Sequence, residues 1–263
     1  MCRLLGYLGK PIQLSQILDK PEHSLIVQSY EPREMTSGVV NADGFGIGWY
    51  HPQRETEPFT YKHILPAWSD VNLPQLSRYI ESGCILANVR SATPGQAVDL
   101  SNCQPFAYQR LLFVHNGFIQ NFRQSLYRPM RDRLSDMAYK LIGGSTDSEH
   151  IFALLIDAWQ ASPGITLEQA LQQTLRTLHQ LADKHQVKAS ANIVITEGHR
   201  AIASRFSTQS PAPTLYWLKD DRTYPESIII ASEPLFVGEW IPCADNSILT
   251  IGVDREPDIH PIL

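Results

Sequence analysis

Short apolar segments bounded by turn-forming residues dominate the chain before residue 120. Segments of about 4–8 apolar residues between such turns suit buried β-strands. The pattern predicts strands at Leu4–Leu8, Phe45–Tyr50, Ile85–Val89 and Leu111–Val114. Four more strands are predicted after residue 190, at Asn192–Thr196, Ala201–Phe206, Leu215–Leu218 and Ile228–Ser232.

Two helices are predicted between these groups of strands. Thr146–Glu149 has the spacing of a capping box, and apolar residues follow it at helical intervals as far as Ala158. Thr166–Gln169 begins a second helix, whose apolar face runs to Leu181. Before them, the irregularly charged residues 121–140 are predicted to form a solvated helical face. Because strands flank a helical middle without a low-complexity linker, we predict one α+β domain of two packed sheets with helices outside.

The composition describes a globular chain without an electrostatic footprint for nucleic acid. The 263 residues are 43% hydrophobic, and the formal net charge is -5 with a sequence pI near 6.0. The longest apolar stretches fall far short of the roughly 18 residues that span a bilayer. The N-terminus lacks the basic start and apolar run of a secretory signal. We therefore expect a cytoplasmic protein whose partner is a small molecule or another protein, with no nucleic acid and no membrane.

Cysteine and histidine spacing gives no support for a metal or a cofactor. The cysteines form no C-x-x-C pair, so individual thiols are expected rather than disulfides or a thiolate zinc site. The nine histidines are scattered without metal-ligand spacing. The motifs of nucleotide-binding P-loops, dinucleotide-binding folds, zinc proteases and serine hydrolases are also missing from the sequence. We predict no metal and no cofactor.

Cys2 has the clearest route to chemistry. Removal of Met1 would expose a cysteine whose α-amino group, with an unperturbed pKa of about 7.7–8.0, can act as the general base for its own thiol. One residue would then supply both nucleophile and base. A cysteine at this position can equally be a small apolar residue entering a strand, so Cys2 alone leaves both interpretations open.

Four other segments, read together with Cys2, point to one family. In chain order the five segments are Cys2–Gly6, Asn41–Trp49, Asn88–Thr93, His115–Gly117 and Thr146–Glu149. This order resembles that of the class II glutamine amidotransferases, which use an N-terminal nucleophile. The resemblance covers nearly the whole length, because Ile230–Pro234 looks like a late strand end of the same family. It implies a four-layer αββα sandwich of the N-terminal-nucleophile hydrolase type, formed by a single domain over residues 2–263 after removal of Met1.

The resemblance also implies the reaction and the residues that perform it. Cys2 attacks the carbonyl of a small-molecule γ-glutamyl amide and forms a γ-glutamyl thioester, which water hydrolyses to glutamate. Asn116 and Gly117 supply the oxyanion-hole donors, one a side-chain amide and the other a backbone N–H. An ordinary Asn-Gly turn is the alternative interpretation of this dipeptide.

A glutamyl group has a carboxylate and an ammonium, so its site needs one cation and one anion. Arg90 and Asp147 match the family's substrate-binding residues for these groups, and Thr93 is matched with them. The alternatives are a strand-end ion pair for Arg90 and a helix N-terminal acid for Asp147. In many ammonia-producing relatives, a histidine follows the threonine that corresponds to Thr93. Here Pro94 follows it, so it stays open whether the site closes over glutamine as it does in those relatives. The Asp43 loop is expected beside the nucleophile, without an assigned role.

Finer likeness favours hydrolysis over ammonia transfer. Four segments resemble the ergothioneine-pathway branch of the family, which removes glutamate from γ-glutamyl-hercynylcysteine sulfoxide. They are Pro21–Tyr30, Asn41–Gly44, Leu65–Asp70 and Val89–Thr93. Because a trimethylammonium betaine is best recognised by aromatic faces, we hypothesise that Trp68 or Tyr30 lines the acceptor side of the cleft; ordinary core or surface aromatics are the alternative. Three interpretations stay open: a stand-alone hydrolase, a glutaminase subunit that supplies ammonia to a partner synthase, and a non-catalytic binding protein. A homo-oligomer also stays open.

Overall fold

Two antiparallel β-sheets lie face to face in the molecule. The computed structural model describes residues 2–35, 38–51, 57–92, 96–252, 254 and 256–262. Within these ranges the strands are β1 (Arg3–Gln13), β2 (Phe45–Trp49), β3 (Phe59–His63), β4 (Glu81–Val89), β5 (Phe106–Tyr108), β6 (Leu111–Ile119), β7 (Ala189–Thr196), β8 (Ala201–Arg205), β9 (Tyr216–Lys219), β10 (Ile228–Ala231), β11 (Ile241–Pro242), β12 (Ser247–Ile251) and β13 (Pro257–Pro261).

The order of the strands places β1 near the middle of the first sheet. In the described part of the chain, that sheet has the order β11-β9-β10-β1-β4-β2-β3, and the second has the order β13-β12-β8-β7-β6-β5. β1 is paired on both sides, with Leu5 opposite Ala231 of β10 and Ala87 of β4. Side chains alternate along β1, so Leu4 lies between the two sheets and Leu5 lies on the outer face.

Helices cover the outer faces of both sheets. The described α-helices are α1 (Leu14–Leu18), α2 (Leu25–Tyr30), α3 (Leu73–Tyr79), α4 (Tyr127–Arg131), α5 (Asp136–Tyr139), α6 (Asp147–Ala161) and α7 (Leu167–Lys184), and short 3-10 helices lie at Ala67–Ser69 and Leu100–Asn102. The helices α1 to α3 pack on the first sheet, and α6 and α7 pack on the second. A third apolar cluster fills the space between the sheets. The layers therefore follow the order helix, sheet, sheet, helix, which confirms the predicted αββα sandwich.

Side-chain caps explain where the two long helices begin. Thr166 Oγ1 accepts a hydrogen bond from the Gln169 N–H, and the Gln169 side chain accepts one from the Thr166 N–H, which completes a capping box. Thr146 Oγ1 accepts from the Glu149 N–H at 3.3 Å. The Glu149 carboxylate accepts instead from the Gly144 N–H at 2.8 Å. The predicted start of α6 is confirmed, and the Glu149 carboxylate is hydrogen-bonded to the loop that precedes the helix.

The eight predicted strands are confirmed as β1, β2, β4, β6, β7, β8, β9 and β10. β6 extends past the predicted end at Val114 as far as Ile119, because it stays paired with β7. Asn116 and Gly117 consequently lie inside a strand and form no turn. The predicted helical face at 121–140 contains two short helices, α4 and α5, and buries Met130 in the core of the second sheet. None of the described helices is long and apolar enough to cross a membrane.

Candidate active site

Cys2 lies at the end of the first sheet where β1 begins and β4 ends. The next residue, Arg3, lies opposite Val89, the last residue of β4. The Cys2 thiol is half-buried, and its Sγ lies 3.8 Å from the carbonyl oxygen of Ser91. β1 is paired with β4 from Arg3 onward and with β10 from Leu5 onward, so the strand that begins next to Cys2 is held on both sides.

The other three cysteines are buried. Burial raises the pKa of the Cys84 thiol to about 12 and the pKa of the Cys243 thiol to about 12 as well. It also raises the pKa of Cys103. All four cysteines are free. Since the thiolate is the reactive form, burial disfavours nucleophilic chemistry at these three thiols, whereas Cys2 is half-buried.

Asn116 approaches the start of β1 from the second sheet. Its side chain is buried, and its Nδ2 donates a hydrogen bond to Ser232 Oγ at 3.2 Å. The backbone N–H of Leu4 donates to the same oxygen at 3.0 Å. One hydroxyl therefore joins the Asn116 carboxamide to the residue that lies two positions after Cys2.

Gly117 presents its backbone N–H at an edge of β6. It lies opposite Ala191, whose own N–H is bonded to the Phe206 carbonyl on the far side of β7. The Ala191 N–H therefore points away from β6. In an antiparallel pair of this kind both residues direct their N–H groups away from each other, so the Gly117 N–H points away from β7. A side chain at position 117 would place Cβ 2.0 Å from the Ser190 carbonyl oxygen. Glycine is therefore required here by close packing and not by a turn.

The neighbouring N–H groups on this edge of β6 are both bonded to side chains. The His115 N–H donates to Gln104 Oε1, and the Ile119 N–H donates to Asp147 Oδ2 at 2.8 Å. The Gly117 N–H lies between these two bonds and is directed to the open edge. The side chain of Asp147 therefore lies next to it along the strand.

Asp147 is the first residue of α6 and is 8% exposed. Its Oδ1 accepts a hydrogen bond from the Ser148 N–H at 2.9 Å. Ser148 Oγ lies 2.8 Å from His115 Nδ1, which ties the start of α6 to β6 a second time. Burial lowers the pKa of His115, so this histidine is neutral at pH 7. Asp147 is thus both a residue of the helix N-terminus and a neighbour of the Asn116–Gly117 strand.

Arg90 directly follows β4 and is 3% exposed. Its Nη1 donates to the Asp43 carbonyl at 3.1 Å, and its Nη2 donates to the Ala97 carbonyl at 3.3 Å and to Gln96 Oε1 at 3.4 Å. These described partners are two carbonyls and an amide, so the surface ion pair considered for Arg90 does not describe its environment.

Asp43 belongs to the loop that precedes β2. Its Oδ2 accepts a hydrogen bond from the Ala92 N–H at 2.8 Å, and its own N–H donates to the Arg90 carbonyl at 3.0 Å. Ser91, whose carbonyl contacts the Cys2 thiol, lies between these two residues. The loop therefore packs against the segment that touches Cys2.

Tyr30 and Trp68 form an exposed aromatic pair. Their ring centroids are 5.8 Å apart with the planes at 87°, and the two residues are 46% and 43% exposed. Tyr30 ends α2, and the carbonyl of the preceding Ser29 accepts a hydrogen bond from the Asn41 N–H. This bond ties the end of α2 to the loop that contains Asp43.

Two predicted positions lie outside the described residues. Thr93 was expected to bind substrate and Met1 to be removed, and both expectations stay predictions. Residues 230–234 are predicted from the sequence only as a strand end, without the bonds of Ser232 to Leu4 and Asn116 or the ion pair of Glu233 with Arg3. A signal for them was present, because both polar residues directly follow the wholly apolar strand β10. Among the described residues, no group of three or more His, Cys, Asp or Glu side chains could hold a metal ion.

The chain is similar to known proteins along most of its length. Residues 1–215 match the family described as glutamine amidotransferases class-II. The chain is 32% identical to the probable glutamine amidotransferase DUG3 of Saccharomyces cerevisiae, over 100% of this chain and 85% of that protein. A γ-glutamyl-hercynylcysteine sulfoxide hydrolase of Mycobacterium tuberculosis is 38% identical over 45% of this chain and 50% of that protein. The solved structure of a glutamine aminotransferase class-II domain protein from Silicibacter pomeroyi has a TM-score of 0.72 at 26% identity, with 99% of both chains covered.

Proposed function

We propose, because this chain belongs to the class II glutamine amidotransferases, that Cys2 is the nucleophile of a γ-glutamyl amide hydrolase. The observation that supports this most directly is the Ser232 hydroxyl, which is bonded to both Leu4 and Asn116. It keeps the strand that begins after Cys2 next to the Asn116 carboxamide. Acyl transfer needs a nucleophile and an oxyanion donor held together in this way.

The proposed reaction begins once Met1 has been removed and residues 2–263 form the catalytic domain. The α-amine of Cys2 takes the thiol proton, and Sγ attacks the γ-carbonyl carbon. The C–N bond breaks, the amine leaves with a proton, and a γ-glutamyl thioester remains on Cys2. Water then attacks the thioester carbonyl, the C–S bond breaks, and glutamate and the free thiol are released.

Asn116 and Gly117 are the proposed donors to the oxyanion. The Asn116 carboxamide has a second N–H besides the one directed at Ser232. The Gly117 N–H faces the open edge of β6. Donors that are already in place before the reaction need no reorganisation as the negative charge develops.

Arg90 and Asp147 are proposed to bind the α-carboxylate and the α-ammonium of the glutamyl group. Both side chains are buried, so ion pairs formed with them are little screened by salt. Asp147 is bonded to the Ile119 N–H, two residues after Gly117, so the proposed ammonium site adjoins the proposed oxyanion donor. Thr93 keeps its predicted place in substrate binding.

The proposed substrate is γ-glutamyl-hercynylcysteine sulfoxide, in ergothioneine biosynthesis. A relative with the name of that hydrolase is 38% identical over 45% of this chain. The exposed Tyr30–Trp68 pair offers aromatic faces to a trimethylammonium group. The second candidate is a glutaminase subunit that supplies ammonia to a partner synthase. It is favoured by the 32% identity to a probable glutamine amidotransferase over 100% of this chain.

A glutamate-release assay distinguishes these candidates. Purified protein, with its N-terminus identified by mass spectrometry, is incubated separately with γ-glutamyl-hercynylcysteine sulfoxide, γ-glutamylcysteine and glutamine. We expect release from the betaine substrate to have the highest kcat/KM without any added protein. A preference for glutamine supports the glutaminase subunit. No release from any substrate by protein that begins at Cys2 contradicts the proposed hydrolase.

A further inference from the structure

Ser232 makes more contacts at the active site than a strand-end serine needs. It follows β10 and is fully buried. Its backbone N–H donates to the Leu4 carbonyl at 3.1 Å, while its Oγ accepts from the Leu4 N–H at 3.0 Å. Its own carbonyl accepts from Thr214 Oγ1 at 3.0 Å. The serine is therefore held on the start of β1 by both its backbone and its side chain.

The same Oγ atom is the acceptor for Asn116 Nδ2 at 3.2 Å. Leu4 belongs to β1 of the first sheet and Ser232 directly follows β10 of the same sheet, whereas Asn116 belongs to the second sheet. The hydroxyl consequently forms a hydrogen-bonded bridge between the two sheets at the end where Cys2 lies. Apolar side chains fill most of the space between the sheets, and such contacts are not directional.

The Asn116 carboxamide has few other restraints on its orientation. Its Oδ1 atom is buried and has no hydrogen-bond partner among the described residues. The bond from Nδ2 to Ser232 is therefore the described hydrogen bond that directs this carboxamide, and with it the second N–H of the amide. An oxyanion donor is effective only when its N–H is aimed at the developing charge before the reaction begins.

We propose that Ser232 is a positioning residue, which orients the Asn116 carboxamide relative to Cys2 through its hydroxyl oxygen. The inference rests on the proposed function, because it requires Asn116 to be an oxyanion donor. It predicts that loss of the hydroxyl lowers kcat and leaves KM nearly unchanged. Binding of the glutamyl group to Arg90 and Asp147 does not involve this bond.

A double-mutant cycle separates positioning from a purely structural role. In the wild-type background, Ser232→Ala should lower kcat roughly tenfold, the effect of one lost hydrogen bond. Asn116→Ala alone should lower kcat by roughly 100- to 1,000-fold. In the Asn116→Ala background, Ser232→Ala should cause no further loss, because there is no longer a carboxamide to orient.

Ser82→Ala is the matched control. Ser82 is also a buried serine, and its hydroxyl donates to the Tyr50 carbonyl at 2.8 Å at the start of β4, which is the end remote from Arg90. Its replacement should lower thermal stability and leave kcat unchanged. If Ser232→Ala does not fold, as judged by thermal unfolding, the cycle is made with Ser232→Cys. That variant keeps the same number of side-chain heavy atoms, but its larger sulfur is only a weak acceptor.

The outcomes distinguish this inference from the proposed function. If Asn116→Ala retains full kcat, the proposed oxyanion role is wrong. If Asn116→Ala is impaired but Ser232→Ala retains full kcat, positioning by Ser232 is wrong while the proposed function stands. An equal loss from Ser232→Ala in both backgrounds likewise overturns positioning, because the effect then does not act through Asn116.

Discussion

Arg3 and Glu233 form an ion pair that is closed to solvent. The Arg3 Nε lies 2.8 Å from Glu233 Oε1, and the two side chains are 0% and 1% exposed. Glu233 Oε2 also lies 2.8 Å from His23 Nε2 and accepts from the Arg33 N–H. Burial alone raises the pKa of Glu233, but these hydrogen bonds and the Arg3 charge hold it below its usual range. One carboxylate thus joins the residue after Cys2 to the segment that precedes α2 and to the loop that follows this helix.

Removing the Glu233 carboxylate should strongly destabilise the fold. Glu233→Ala leaves the Arg3 guanidinium buried without its anion, and a broken buried pair costs about 3–5 kcal/mol. Urea unfolding at pH 7 measures the loss. Asp132→Asn is the control, because it breaks the exposed Arg128–Asp132 pair. That change should cost about 0–1 kcal/mol. Equal losses of unfolding free energy in the two variants would contradict the prediction that the buried Arg3–Glu233 pair stabilises the fold more than an exposed pair does.

Local sequence signals predicted the architecture well because they are properties of neighbouring residues. The capping threonines of α6 and α7 and the apolar run of β10 are of this kind. The Asn116–Gly117 dipeptide shows the limit of such signals. Its own preference is for a turn, but pairing with β7 keeps it in a strand.

The missed parts of the site depend on contacts between distant positions. Ser232 bonds to Leu4 across 228 positions of the chain, and no periodicity or local motif reports such a contact. Arg3 begins the apolar strand β1, and Glu233 follows the apolar strand β10. Considered one at a time in the sequence, each is typical of an exposed strand end. Only the pairing of β1 with β10 brings them together. By contrast, the substrate-binding roles predicted for Arg90 and Asp147 come from the family resemblance. Members of a family share a fold, so matching positions in the sequence are expected at matching positions in the structure.

Cys2→Ala should abolish glutamate release while leaving the thermal stability close to that of the wild type. Activity should also be proportional to the fraction of molecules that lack Met1, because the proposed base is the α-amine of Cys2. Mass spectrometry of each preparation gives that fraction. Cys243→Ala is the control and should retain activity, since burial raises the pKa of that thiol to about 12. Full activity in protein that retains Met1 would be incompatible with this mechanism.

Arg90→Lys should weaken binding of the glutamyl α-carboxylate relative to the wild type. A lysine ammonium cannot reproduce the planar fork that binds a carboxylate bidentately. We expect kcat/KM to fall by the equivalent of roughly 2–5 kcal/mol, measured by glutamate release over a range of substrate concentrations. Arg205→Lys is the control and should retain the wild-type kcat/KM. Arg205 also donates to backbone carbonyls and is 14% exposed, but it has no proposed contact with substrate. Near-normal kcat/KM in Arg90→Lys argues against the proposed contact.

His150 should make the fold less stable as the pH falls from about 6.5 toward about 4. Burial lowers the pKa of His150 to about 4. Its Nδ1–H donates to the Thr146 carbonyl at 2.7 Å, and its Nε2 accepts from Arg131 at 2.9 Å, so the neutral ring satisfies both bonds. The unfolded chain binds a proton in this range and the folded chain does not. The stabilisation is therefore complete above pH 6.5 and is lost on acidification.

The test compares the pH dependence of the free energy of unfolding in two variants. His150→Gln should reduce the loss between pH 6.5 and pH 4 by about 2–3 kcal/mol. His199→Gln, which replaces an exposed histidine, should retain the wild-type dependence. The same slope in His150→Gln and the wild type would show that His150 is not the group responsible.

Trp68 and Tyr30 should discriminate between γ-glutamyl substrates by their leaving groups. A trimethylammonium group has no hydrogen to donate, and an aromatic face attracts it by about 0.5–2 kcal/mol depending on desolvation. Trp68→Ala should therefore raise KM for γ-glutamyl-hercynylcysteine sulfoxide by roughly 2- to 30-fold. KM for γ-glutamylcysteine, which lacks the cation, should stay unchanged. Tyr30→Ala should act in the same direction, because its ring supports Trp68 edge to face.

Phe59→Ala controls for the loss of an exposed aromatic side chain. Phe59 is 61% exposed on β3 and pairs with Trp49 instead of the Tyr30–Trp68 pair. Its replacement should leave both KM values unchanged. If Trp68→Ala raises KM equally for both substrates, the aromatic pair does not recognise the cation, because the change then affects the shared glutamyl part. If the wild-type protein itself shows no preference for the betaine substrate, the ergothioneine assignment is wrong and the glutaminase subunit becomes the better proposal.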